Sequence, residues 1–263
     1  MTTGHENAGF HVAIHDGIAL VTIDRPKANA IDAATSRALG EVFVGFEHDP
    51  GVRVAIITGA GERFFSAGWD LGAAGEGEAF DSDYGAGGFG GFPDLPDRAT
   101  PVIAAVNGMA VGGGFEIAMA ADMIVAADHA QFFLPEAGLG ILPDAGSVRL
   151  PRLLPPHIAR EVLLAGRRLG ATEAAHWGLV NRVVPAAELL DAARAMAAGV
   201  IASAPLSVAA ILDIGRRTAH LDPIEAMRAI KDLPSYRAAI HSADAAEGTL
   251  AFQHKRAPVW RGQ

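Results

Sequence analysis

The chain has 263 residues, half of them hydrophobic and 19% charged, which supplies a large core and excludes general disorder. Its formal net charge of −9 argues against nucleic acid or an anionic membrane surface as the principal partner. Cysteine is absent, which excludes a disulfide framework, a thiol nucleophile and a cysteine-based zinc site.

The first ten residues, MTTGHENAGF, carry no basic segment followed by an apolar one, so a cytoplasmic setting is expected. Strand-like Phe10–His15 and residues 18–24 flank Asp16-Gly17, a hairpin signal. Residues 31–47 read as a helix capped by Asp32, with an apolar stripe at Ala38, Val42 and Phe46. Residues 52–58 form a continuous apolar run that stops at Gly59-Ala60-Gly61, the pattern of a buried parallel strand. Residues 72–100 hold eight glycines and little periodicity, which predicts a mobile loop serving as a lid or binding element.

Residues 102–127 are apolar enough to span a bilayer, but Asn107, Glu116, Asp122 and four glycines argue for strand, turn, helix and strand inside a soluble core. Val102–Val106 and Met123–Ala127 are the strands expected there, and the alternation of strand and helix indicates an α/β fold. The last third is Ala/Leu-rich and helical. One helix is expected to open at Thr172 and end at Gly178, before a strand over 179–184 and a helix from Pro185. Asp222-Pro223 should start a helix that runs to Ala239, and a terminal helix is expected over 243–256. Residues 1–200 are read as the core domain and 201–263 as a helical appendage.

Two carboxylates stand out because glycine and apolar residues flank them. Glu116 lies in GGGFEIAMAAD and Glu136 in QFFLPEAGLG. Burying a carboxylate without a cation raises its pKa, and two such residues in one segment suggest proton chemistry. The glycines at 112–114 lead into the Glu116 helix, where free N–H groups and the helix dipole favour a polarised oxygen. Ser66-Ala67-Gly68-Trp69-Asp70 is a second turn able to present an amide. Two amides on one carbonyl oxygen make an oxyanion hole.

These segments carry a resemblance over nearly the whole chain. RPKANAID (25–32), FFSAGWDL (64–71), PVIAAVNGMAVGGGFEIAMAAD (101–122), LPEAGLGILPDAG (134–146), GRRLGATEAAHWGLVNRVV (166–184) and EGTLAFQHKRAPVWRG (247–262) occur in the order of the enoyl-CoA hydratase/isomerase, or crotonase, superfamily. RLPRLLPP (149–156) and the KRAPVW ending make the chain most similar to the carnitinyl-CoA dehydratase branch. The resemblance implies a ClpP-like spiral of ββα units with a C-terminal helical region that mediates trimer formation, two trimers stacking into a hexamer. It implies hydro-lyase chemistry on an acyl-CoA thioester, with coenzyme A as part of the substrate and no metal or covalent cofactor.

Residue by residue, the resemblance places Ala67 and Gly113 as oxyanion donors and Glu116 and Glu136 as the acid/base pair. Lys27, Ala28, Ala67, Asp70 and Leu71 fall at CoA-contacting positions. Phe252 and Lys255 match a pair that reaches the CoA of a neighbouring subunit. Lys27 and Lys255 are two of only three lysines in the chain. Dehydration requires removal of an α-proton and protonation of the β-hydroxyl, so Glu136 is expected to exchange the α-proton and Glu116 to handle the water.

Asp144 departs from the family pattern, standing where hydratases commonly have glycine. It is a substrate-pocket candidate or a cap for the helix near Ala145. Ser147 breaks the usual Gly-Gly-Thr. Trp69, with Tyr84, Phe89 and Phe92 of the loop and an acid such as Glu76 or Asp81, could receive a trimethylammonium group over aromatic faces. No HExxH pattern occurs among the ten histidines, and none is assigned as a ligand. The competing readings are a general short-chain enoyl-CoA hydratase of β-oxidation, a dienoyl- or enoyl-CoA isomerase, and a non-catalytic CoA-binding scaffold.

Overall fold

A computed structural model describes residues 2–3 and 9–263. Strand β1 (Thr2–Thr3) pairs with β2 (Phe10–His15), which turns back into β3 (Ile18–Ile23). The turn uses Asp16 and Gly17 at φ 50° and 81°, the left-handed pair that matches the twist of a two-residue hairpin. After α1 (Ala33–Phe46) the chain makes three successive turns of one design. They are β4 (Val54–Gly59), β5 (Phe64–Ser66) and α2 (Leu71–Gly75); then β6 (Val102–Val106), β7 (Met109–Val111) and α3 (Gly113–Ala120); then β8 (Met123–Ala127), β9 (Gln131–Phe133) and a 3₁₀ turn over Glu136–Leu139.

In each turn the first strand joins a seven-stranded sheet, order β1-β2-β3-β4-β6-β8-β11, where β11 is Arg182–Val184. The second strand joins a four-stranded sheet, order β10-β9-β7-β5, where β10 is Leu169–Gly170. Strands β4 and β6 are buried at every residue, as continuous apolar runs in a covered parallel sheet must be. In the small sheet β5, β7 and β9 are parallel neighbours, so the segments that leave their carboxyl ends emerge side by side. The site sits there.

Helix α1 is capped by Asp32, whose side chain accepts from the Thr35 amide. Its buried face carries Leu39, Phe43 and Phe46, so the expected stripe at Ala38 and Val42 lies one position to the side. Helix α7 (Leu189–Ile201) covers the other face of the large sheet, with Leu189, Ala193 and Ala197 against Val54, Ile56, Ile103 and Val125. The intervening helices are α4 (Asp144–Leu153), α5 (Pro156–Ala165) and α6 (Ala171–His176). Helix α6 opens one residue before Thr172, and β11 is shorter than expected because Leu179 and Val180 are buried in the turn before it.

The last third contains α8 (Pro205–Thr218), α9 (Pro223–Ala229), α10 (Pro234–Ile240) and α11 (Ala243–Gln253). The single helix expected from Asp222 to Ala239 is divided at Leu233-Pro234. Leu233 takes extended angles (φ −69°, ψ 129°), the conformation that a following proline enforces. Residues 72–100 are tied to the core at several points. Phe92 is buried against Phe43 at 4.7 Å, the Gly90 amide donates to Ser36 Oγ, and Arg98 forms a paired contact with Asp122 at 2.7 and 3.0 Å. The segment therefore forms a fixed wall over much of its length.

Candidate active site

The small sheet brings three turns to one place. The turn after β5 carries Ala67, Gly68 and Trp69; the turn after β7 carries Gly112 and Gly113; the turn after β9 carries Glu136. They line a cleft of ≈ 680 Å³ together with Glu116 and residues of the segment 80–94.

The first two turns touch. Gly68 has φ +80°, and a Cβ there would lie 2.6 Å from the Gly113 nitrogen, so only glycine allows this approach. Gly113 is the first residue of α3 and its N–H has no partner within the helix. The sequence expectation for the other donor needs correction. The Ala67 amide donates to the Ala28 carbonyl oxygen at 2.9 Å and is not available to a ligand. The Gly68 amide is held by Ser66 Oγ at 3.0 Å. Trp69 sits in a parallel bridge with Ile31, in which the Ile31 amide reaches the Gly68 oxygen and the Asp70 amide reaches the Ile31 oxygen. That alternation turns the Trp69 N–H away from Ile31, and it donates to no group among the described residues. Two unengaged amides that the touching turns bring to the cleft are therefore those of Trp69 and Gly113.

Glu116 and Glu136 are both buried, at 9% and 7% exposure, and both line the cleft. Glu116 Oε1 accepts from the Gly146 amide at 2.7 Å, which fixes one oxygen and leaves the other for chemistry. Burial pushes the Glu116 carboxyl up to about 7. The Gly146 hydrogen bond opposes this, and the charges of Asp144 and Glu136 add to it. Glu136 is also raised, chiefly by burial and then by Asp144. Its Oε2 is buried with no hydrogen-bond partner, while its Oε1 lies where a Cβ on Gly112 would come within 2.6 Å.

The remaining expected residues divide. Trp69, Leu71 and Asp144 line the cleft. Asp144 is the first residue of α4 and its Oδ1 accepts from the Ala145 amide at 2.7 Å, while Pro143 holds the cap position that Asp144 was expected to fill. Asp70 is engaged by Arg25 at 3.1 Å and caps α2 through the Gly72 amide, so its carboxylate serves the turn. Lys27 is exposed beside Ala28, near the same turn. Phe252 is 86% exposed, and within the single chain neither it nor Lys255 reaches the cleft.

Sequence reading missed Glu78. Its Oε1 accepts from Trp69 Nε1 at 2.8 Å and its Oε2 from the Ala33 amide at 3.0 Å, so this acid, rather than Glu76 or Asp81, anchors the indole. Trp69 meets Phe80 edge-on at 5.5 Å, and Tyr84 meets Phe89 edge-on at 5.3 Å, whereas Phe92 belongs to the core. Burial, with the charges of Glu78, Asp144 and Asp81, pushes the Tyr84 hydroxyl up to about 12. Among the described residues no group of three His, Asp or Glu side chains is placed to hold a metal ion, and His5 lies outside them. His11 and His15 stand four apart on a strand, with exposed side chains each beside an aspartate.

The chain is similar to known proteins over nearly its whole length. The family described as enoyl-CoA hydratase/isomerase matches residues 13–263. Carnitinyl-CoA dehydratase of Escherichia coli (strain K12) is 57% identical over 257 residues, covering 97% of this chain and 98% of its own. The Salmonella arizonae protein of that name is 59% identical over 245 residues, covering 92% and 94%. Among solved structures, an enoyl-CoA hydratase from Mycobacterium tuberculosis superposes with TM-score 0.90 at 38% identity, covering 97% of this chain and 100% of that one. One from Mycobacterium marinum gives the same figures.

Proposed function

The chain belongs to the enoyl-CoA hydratase/isomerase family, and we propose that within it the protein is a hydro-lyase that interconverts carnitinyl-CoA with crotonobetainyl-CoA and water. The observation that carries the reading is the pairing of two buried carboxyls with two unengaged amides across one cleft.

The thioester oxygen accepts from the Trp69 and Gly113 N–H groups. An enolate oxygen there carries more charge than the ground-state carbonyl, so each donor contributes about 3 kcal/mol more to the transition state than to the substrate. Glu136, with an unpartnered oxygen, removes the α-proton. Glu116, with a pKa near neutrality, gives a proton to the departing β-hydroxyl, and each carboxyl reverses its own transfer in hydration. Both directions use the pair with a single proton between its members.

The acyl pocket favours a cationic head. Asp83, Asp94, Glu116, Glu136 and Asp144 line it, and among the described lining residues Arg149 is the only cation. Its guanidinium is held by the Pro93 carbonyl oxygen at 2.6 Å.

The CoA portion is assigned to the surface beside Lys27, Ala28 and Leu71. Phe252 and Lys255 are assigned to a neighbouring subunit's CoA, with residues 201–263 as the trimerisation region of a trimer or hexamer. The exposed Ile211, Ile224, Met227 and Leu250 of that region support an interface.

Comparing kcat/KM for crotonobetainyl-CoA with that for crotonyl-CoA tests the reading. We expect the charged substrate to be favoured by about tenfold or more. Parity, or preference for crotonyl-CoA, would make the protein a general short-chain enoyl-CoA hydratase.

A further inference from the structure

Asp144 is placed beside the acid/base pair without taking part in the proton transfers. It stands two residues before Gly146, whose amide holds Glu116. Its carboxylate accepts only from the adjoining Ala145 amide and forms no ion pair among the described residues. An aspartate in the first turn of a helix is ordinary where it only complements the dipole. This one opens into a cleft that already buries two carboxyls, and its charge raises the proton affinity of Glu116, Glu136 and Tyr84. Asp144 is itself exposed, so its carboxylate is open to a ligand that enters the cleft, and no ion pair among the described residues neutralises it.

The surroundings say which ligand suits it. Tyr84 and Phe89, edge to face at 84°, line the same cleft, as do Trp69 and Phe80. The indole N–H of Trp69 is already bonded to Glu78, which increases the negative character of the ring face. A quaternary ammonium has no N–H and cannot be held by hydrogen bonds. It needs aromatic faces and an unneutralised carboxylate within reach of its diffuse charge.

We propose that Asp144 is the counter-ion of the substrate's cationic head, which sits between it and the Tyr84–Phe89 pair. This rests on the charged-substrate reading above and assigns that reading's selectivity to one side chain. A bound cation cancels the Asp144 charge felt by the acid/base pair, so the benefit is realised only with a charged substrate.

The test compares crotonobetainyl-CoA with 5,5-dimethylhex-2-enoyl-CoA, in which a quaternary carbon replaces the nitrogen at constant shape. Wild type, Asp144→Asn and Asp144→Glu are assayed for hydration of both. The wild type should favour the cation, and Asp144→Asn should lower the charged-to-neutral ratio of kcat/KM by about tenfold or more. Asp144→Glu should restore much of it. A wild-type preference that Asp144→Asn leaves unchanged overturns the counter-ion role and spares the charged-substrate reading. An equal loss on both substrates also overturns it, since Asp144 would then act by positioning α4. Equal rates by the wild type overturn both readings.

Discussion

One part of the cleft lining is backbone at the ends of β5, β7 and β9, and another is side chains on the irregular segment 80–94. The first holds the amides of Trp69 and Gly113 and the carboxyl of Glu136 in positions that follow from strand pairing. The second holds Phe80, Tyr84 and Phe89, fixed by a few hydrogen bonds and by the burial of Phe92. A reaction common to many acyl-CoA substrates needs the same amides and carboxyls each time, so it is built into the sheet. Selection among acyl groups can change without disturbing the sheet, so we assign it to that segment together with Asp144 of α4. Trp69 belongs to both: its amide faces the chemistry and its indole is part of the acyl pocket.

The contrast can be broken most sharply on the sheet side. Glu136→Gln and Glu116→Gln should each lower kcat by about 100-fold or more with modest change in KM, because both carboxyls act in the transition state. Near-normal turnover by either variant would refute a two-carboxyl mechanism. Gly68→Ala should lower kcat by about 100-fold on charged and neutral substrates alike, since its Cβ displaces the Gly113 amide by steric contact at 2.6 Å. A loss confined to one substrate would show that this turn belongs to the selecting part of the lining.

A smaller effect sharpens the same division. The reaction consumes no net proton, so kcat/KM must have the same pH dependence in hydration and dehydration. Glu116 is raised to about 7 by burial, so the pair loses its single proton as pH rises past that value. Both profiles should fall above about pH 7 and fall again in acid as the pair takes a second proton. Profiles that stay flat as pH rises through 7 would contradict the shared proton.

Stability should respond least. Glu116 has a folded pKa above its usual 4.5, so its protonated form is favoured by folding and its ionised form is not. Stability is therefore lost as pH rises from the unfolded value through about 7. Ionisation at that site is unfavourable by up to about 3 kcal/mol. Glu116→Gln should thus raise Tm at about pH 8 and have a much smaller effect near pH 5. Equal Tm changes at the two pH values would show that the carboxyl is not held above its ordinary range.

The apolar runs 52–58 and 102–106 announced buried strands because a parallel sheet covered on both faces leaves no polar alternation to obscure them. Glu116 and Glu136 were legible for a related reason, as carboxylates set among glycine and apolar residues. The unengaged amides were only half legible. Gly113 follows from being first in its helix, but the choice between Ala67 and Trp69 depends on a bond from Ala67 to Ala28, 39 positions away. Local pattern carries no trace of that partner. Glu78 escaped notice because its partners, Trp69 and Ala33, come from two other elements. In α1 the expected stripe lies at the edge of the buried face: Phe46 is buried and Ala38 and Val42 pack partly against the core, whose centre is Leu39 and Phe43.

The division of labour between Glu136 and Glu116 is the central claim, and α-proton exchange tests it most directly. Butyryl-CoA has no β-hydroxyl to lose, so incorporation of deuterium at its α-carbon from D₂O reports proton removal alone. Glu116→Gln should retain exchange within about threefold of wild type, and Glu136→Gln should lose about 100-fold or more. Retention by Glu136→Gln with loss by Glu116→Gln would reverse the assignment and contradict the account.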